Sequence, residues 1–170
     1  MHVSNLGWPV LIALGASVSQ GDEVKLSTTA ETYVRLADAF RGRPAVMFYE
    51  DRASTTLNQE LKDRLFAVGK EKGLLDAVSI VAIANVSAYD WVPARQFVIA
   101  AVKDTEKKIG VPVYLDWTGV MTQQPWSLKG NSSTVVLVDR SGAVRYAKQG
   151  ALKSADVEEV LGLLGTLIAE

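Results

Sequence analysis

The 170-residue sequence contains no cysteine and one histidine, His2. Without a thiol the chain can make no disulfide, thiolate nucleophile, CxxC redox pair, thiolate zinc site or cysteine-ligated iron–sulfur cluster. With its one histidine close to the N-terminus, it has no interior imidazole for a Ser-His-Asp triad or a multi-histidine metal site. Long apolar runs are also missing: no window approaches the ~18 residues of a membrane-spanning helix. Neither sign of charge dominates, with 18 basic and 19 acidic side chains. No basic stripe interleaved with aromatics points to nucleic acid. No low-complexity tract, linker or fixed-period repeat divides the chain, so residues 1–170 are read as one domain. What is present is a 48% apolar chain long enough to bury roughly 70% of its unfolded surface.

Residues 1–21 are read as an N-terminal extension or strand. Residues 6–18 (LGWPVLIALGASV) suit a strand around residues 10–14, or a short signal h-region with residues 16–18 as its cleavage site. The preceding MHVSN lacks the Lys or Arg of a secretory n-region.

Beyond this segment, strand and helix patterns alternate. Residues 23–27 (EVKLS) alternate like a strand with one wet face, and Thr28 with Glu31 reads as a capping box opening a helix to Phe40. Residues 45–49 (AVMFY) are short and wholly apolar, and residues 78–84 (VSIVAIA) are β-branched and nearly uniformly apolar, as parallel strands buried on both faces are. Ser54, Thr55 and Thr56 supply capping hydroxyls before Leu57, Leu61, Leu65 and Phe66, which recur at helical spacing as far as Gly73. Pro93 opens a helix through Phe97, Ile99, Ala100 and Val102 to Gly110. Residues 113–115 form a short strand. Residues 134–138 and 143–147, joined by the Asp139–Gly142 turn, make an antiparallel hairpin, and Ser154 caps an amphipathic helix bearing Val157, Val160, Leu161, Leu164 and Ile168. The order β-α-β-α-β-α-β, then a ββα unit, specifies an α/β fold with a mixed sheet covered by helices on both sides.

Residues 112–119 (PVYLDWTG), Trp126-Ser127-Leu128, Ser132-Ser133 before an apolar strand, Asp139 and Gly142, and residues 148–152 (KQGAL) resemble the C-terminal half of peroxiredoxin- and TlpA-like thioredoxin-fold domains. Within that superfamily the chain is most similar to the YtfJ-like family of bacterial, usually exported proteins. The resemblance implies a thioredoxin-like three-layer α/β/α sandwich and favours a periplasmic location. It also implies a redox CxxC after the first buried strand and a cis-proline across the groove from it. Laid on residues 48–56 (FYEDRASTT), the two cysteine positions fall on Ala53 and Thr56, and the proline position falls on Ser133. A cis peptide before serine would cost ~3 kcal/mol, so a trans bond is expected there.

Several groups at the expected carboxyl edge of the sheet, where open α/β folds take ligands, have two readings each. Ser54, Thr55 and Thr56 suit an anion at a helix N-terminus or plain capping. Glu50 and Asp51 suit a general base, or Asp51 and Arg52 a turn or surface pair. Asn85 and Trp91 line a polar recess or close the sheet end, and Trp91, Trp117 and Trp126 bind or cap the core. Asp90, Asp116 and Asp139 lack metal-ligand spacing, and the turn explains Asp139.

No metal or cofactor is expected. The reading is a redox-inactive binding module whose groove is formed by Tyr49, Asp51, Arg52, Ser54, Thr55, Thr56, Asn85, Trp91, Trp126, Ser132 and Ser133. It would take a protein or small-molecule ligand as a monomer or weak dimer. The alternatives are a thiol-independent hydrolase or transferase at the same groove, or a structural subunit of an assembly.

Overall fold

The run AVMFYE forms strand β3 (Ala45–Glu50), every residue of which is buried. So apolar a strand must be hydrogen-bonded on both edges and covered on both faces. Here β4 (Ser79–Asn85) lies parallel to it on one side and β6 (Thr134–Val138) antiparallel on the other. The computed structural model describes residues 24–40, 42–73 and 76–170. The expected strand or signal segment near the N-terminus and Arg41 lie outside the described residues.

The remaining strands are β1 (Lys25–Ser27), β2 (Tyr33–Arg35), β5 (Val113–Asp116) and β7 (Val144–Gln149). The seven form one mixed sheet in the order β2-β1-β5-β4-β3-β6-β7. The helices are α1 (Leu36–Phe40), α2 (Gln59–Lys72), α3 (Ala94–Ile109) and α4 (Ser154–Ala169).

Alternation along β3 divides the core between the two faces. Val46 and Phe48 pack with Leu61 and Leu65 of α2 and with Val157, Val160, Leu164 and Leu167 of α4. Met47 and Tyr49 face the other way, onto Leu36 and Phe40 of α1 and onto Met121, Trp126 and Leu128 from the loop after β5. The right-handed crossovers β3-α2-β4 and β4-α3-β5 step in one direction, so α3 lies on the face of α2. There Val98, Ile99 and Val102 cover Leu115 and Trp117.

Three expectations are corrected. Thr28 and Glu31 form no capping box: the Thr28 hydroxyl accepts from the Ala30 and Thr32 amides, Glu31 takes φ 59°, and the segment is a tight turn joining β1 to β2. The β-branched Thr32 and Val34 favour that strand over a helix, which waits until Leu36. Ser54, Thr55 and Thr56 do not cap α2, whose N-cap is Asn58. Likewise Lys153, not Ser154, is the N-cap of α4, and the Asp156 carboxylate accepts the Lys153 amide at 2.7 Å. Desolvation pushes the Asp139 carboxyl up, but Ser141, Ala143 and Arg145 donate to it and hold it below the usual range, which makes it the anchor of the β6–β7 turn.

Candidate functional site

Because β3 and β4 are parallel, their carboxyl ends open on one edge of the sheet. Antiparallel β6 begins on that same edge, with Thr134 beside Tyr49. Three chain segments therefore meet there: residues 51–58 after β3, residues 86–93 after β4, and residues 129–133 before β6.

Glu50, the last residue of β3, turns a carboxylate into the packed layer beneath α2. Its Oε2 accepts from the Lys62 ammonium at 2.7 Å, and its Oε1 accepts from the fully buried Ser133 hydroxyl at 2.7 Å. The Ser133 oxygen in turn accepts from the Asn58 side-chain amide at 2.7 Å. Asn58 also donates to the Gly150 carbonyl, and its Oδ1 accepts the Leu152 amide at 2.8 Å. Lys62 reaches the Thr55 carbonyl as well and lies over the Phe48 ring. One connected polar network thus joins β3, α2, β6 and the β7–α4 corner, with each buried polar atom given a partner.

Asp51, one residue on, organises the outer layer. Its Oδ1 accepts from the Ala53 and Ser54 amides and the Ser54 hydroxyl, and its Oδ2 accepts the Asn131 amide at 2.6 Å. One carboxylate thereby shapes the turn after β3 and pins it to the loop before β6. Asp51→Ala should speed amide hydrogen exchange at Ala53, Ser54 and Asn131 by about tenfold or more, since it deletes the acceptor these amides share. Unchanged protection at Asn131 would contradict the pinning role.

Beneath this layer the Tyr49 phenol donates to Asp116 Oδ2 at 3.0 Å, and Asp116 also accepts the Val120 and Met121 amides. Burial first, then the charge of Asp116, pushes the Tyr49 phenol well above the ordinary range; burial pushes Tyr146 up to about 12. The unfolded phenol titrates near 10. Stability from both groups is therefore complete below that pH and is lost as the pH rises through the folded values. Between about pH 9 and 12 the unfolding free energy, read by urea titration, should fall less steeply for Tyr49→Phe than for the native chain. Identical slopes would discount this linkage.

The other expected site residues separate into buried and exposed sets. Tyr49, Ser54, Trp126 and Ser133 are closed off from solvent. Arg52, Ala53, Thr55 and Thr56 stand exposed on the turn after β3, Ser132 is half-buried, and Trp91 is exposed after β4. The half-buried Asn85 accepts from the Ser87 amide and hydroxyl, and its side chain lies beside Gly130. Trp117 is buried under the Arg95 guanidinium, 4.3 Å from its ring centre. Asn58 and Lys62 are missed by the sequence reading. Their only local signal is a polar pair i, i+4 on the otherwise apolar approach of α2 to the sheet. Among the described residues no three His, Asp or Glu side chains come together as a metal site would need, and no helix is long and apolar enough to cross a membrane.

The family model described as "Bacterial protein of unknown function (YtfJ_HI0045)" matches residues 17–167. The chain belongs to the YtfJ family. The curated YtfJ protein of Escherichia coli K12 is 28% identical over 120 residues, covering 65% of each chain, so this chain spans less than two thirds of that relative's length. Among solved structures, a thioredoxin-like protein of Porphyromonas gingivalis is similar with a TM-score of 0.63 at 17% identity, over 91% of this chain and 95% of that one. A DsbF homologue of Corynebacterium diphtheriae gives 0.62 at 15% identity, over 96% and 97%. The fold is thioredoxin-like, as the resemblance implied, and this YtfJ-family chain carries it with no cysteine. Ala53 lies six residues ahead of the first residue of α2, Gln59, so the two positions on which the resemblance lays the cysteines sit in a turn and not in the helix. The cis peptides among the described residues precede Pro93 and Pro125, so the bond before Ser133 is trans.

Proposed function

We propose that this YtfJ-family chain is a redox-inactive, thioredoxin-like binding module that takes its ligand at the carboxyl edge of the sheet. Arg52, Ala53, Thr55, Thr56, Asn85, Trp91 and Ser132 form the contact rim, and Tyr49, Asp51, Ser54, Trp126 and Ser133 support it from below. The observation that carries the reading is how the buried polar groups of this edge are used. Glu50, Ser133 and Asn58 are all engaged with one another or with backbone, which leaves none of them poised to react. The rim is held in one shape by Asp51. A rim tied together by Asp51, over a network in which Glu50, Ser133 and Asn58 are engaged, suits recognition more than turnover. A hydrolase or transferase step would need a reactive Tyr49, Asp51 or Thr56. Against that stand the phenol bonded to Asp116 and the four donors on Asp51.

The test places a photo-crosslinking amino acid at Ala53, or at exposed Thr166 near the opposite end of α4, in the native bacterial cell. A discrete adduct from position 53 that is absent from position 166 is expected. The same adducts from both positions, or none from position 53, would remove the basis for a binding edge.

A further inference from the structure

The rim carries more apolar surface than a solvated loop needs. Trp91 is 59% exposed, Val92 78% and Phe97 73%, and Leu57 at the neighbouring approach to α2 is also exposed. Pro93 is the N-cap of α3, so Val92 and Phe97 occupy the two positions that a hydrophobic staple brings together. Trp91 adjoins them, and the Arg95 amide donates to its carbonyl. Three large, exposed apolar side chains therefore stand within one short stretch, residues 91–97, beside the outlet of β4. Contiguous patches of this kind on a soluble chain mark contact surfaces.

The charges around the patch are uneven. The acids of this edge are engaged: Asp51 by four donors, Glu50 by Lys62, and both Asp90 and Glu31 by Arg95. Two cations are not, since neither the Arg52 guanidinium nor the Lys129 ammonium has a partner among the described residues. They stand on loops that touch: Asn131 donates to Asp51 next to Arg52, and Gly130 next to Lys129 abuts Asn85, where the patch loop begins. The edge thus offers two unneutralised positive charges and an apolar patch on one pinned frame.

Building on the binding reading above, we propose that the occupant of this edge is an acidic segment of a partner polypeptide. Its carboxylates would meet Arg52 and Lys129, and an apolar side chain would cover Trp91, Val92 and Phe97. A carboxylate pairs with guanidinium in a bidentate fork, and an aromatic patch contributes most of its energy when one apolar side chain dehydrates it. Other occupants fit less well. Two cations fall short of the four to eight that an anionic membrane surface recruits, and they form no stripe to track a phosphate backbone. A two-fold pairing with a second copy would set an uncompensated cationic rim against itself.

The experiment measures fluorescence polarisation of three labelled peptides of about 12 residues with the full chain. The first contains Glu with Leu and Phe, the second has Lys for each Glu, and the third has Ser for each Leu and Phe. Binding of the first alone is expected, weakened about tenfold or more by Arg52→Glu with Lys129→Glu and likewise by Trp91→Ser with Phe97→Ser. All four positions are exposed, so the variants should fold; Lys103→Glu, on the solvent side of α3, should leave binding unchanged. The charge reversal should also favour the Lys peptide. If the native chain binds the Lys peptide equally well and Trp91→Ser with Phe97→Ser abolishes both, the acidic assignment is wrong while the binding edge stands. If the Glu peptide binds and neither pair of substitutions weakens it, the location is wrong as well. If no peptide binds at millimolar concentration, a peptide occupant is excluded, and the position 53 crosslink decides separately whether the edge binds anything.

Discussion

Glu50→Ala is expected to lower the unfolding free energy by about 3 kcal/mol, a fall in Tm of roughly 6–12 °C for a domain of this size. The substitution strips Ser133 of its acceptor inside the core and leaves the Lys62 ammonium without its counter-ion. The side chains of Lys62 and Glu50 are only 18% and 10% exposed, so water replaces the lost partners poorly. Lys62 keeps the Thr55 carbonyl, which is why the expected loss stays below the ~5 kcal/mol upper range for a broken buried pair. Glu50→Gln retains an acceptor for Ser133 and should cost about half as much. Chemical denaturation measures both. A loss under about 0.5 kcal/mol for Glu50→Ala, the range of ordinary surface changes, would mean that the network merely fills space.

Asp116→Ala should cost a similar amount, about 3 kcal/mol, by a different route. Here no cation is involved. The carboxylate collects the Val120 and Met121 amides and the Tyr49 phenol, so its removal leaves three donors without it, two of them buried, at the root of the loop that carries Trp126 and Leu128. Tyr49→Phe alone removes one donor and should cost about 1 kcal/mol. Combining the two substitutions should cost less than the sum, because the second no longer breaks a bond. Strict additivity in that double-mutant cycle would show that the phenol and the carboxylate do not interact.

Much of the scaffold is legible in the sequence because it follows from periodicity. Residues 45–49 and 80–84 are apolar throughout and cannot sit on an edge; Gly73 and Gly110 end their helices with positive φ, a conformation glycine takes at little cost. The misread places are those where a short polar side chain chose one of several local partners. Thr28 and Ser54 have hydroxyls suited to caps, yet both fold back on turns, because Glu31 adopts a left-handed backbone and Asp51 outcompetes α2 for Ser54. The interior network was invisible for another reason. Asn58 and Ser133 are 75 residues apart, and Ser133 and Glu50 83 apart, so no local window contains the pair. Glu50 was recognisable as a site residue only because it closes a strand of five apolar residues. Trp91 and Trp126 look alike in sequence, and only the sheet decides that one covers the core while the other stays exposed.

Ser133 also bears on how freely the sequence can change. A proline at this position would remove in one step the hydroxyl that both Glu50 and Asn58 hold. The two surviving polar groups would then be buried without their shared partner. Replacing Glu50 by a residue without an acceptor, or Asn58 by one without a donor, would likewise take one partner from the Ser133 hydroxyl. Single substitutions that break this network are therefore expected to give a less stable protein, whereas changes on the exposed rim meet no such barrier. The network thus constrains what residues the interior of the fold can carry more tightly than it constrains the exposed rim.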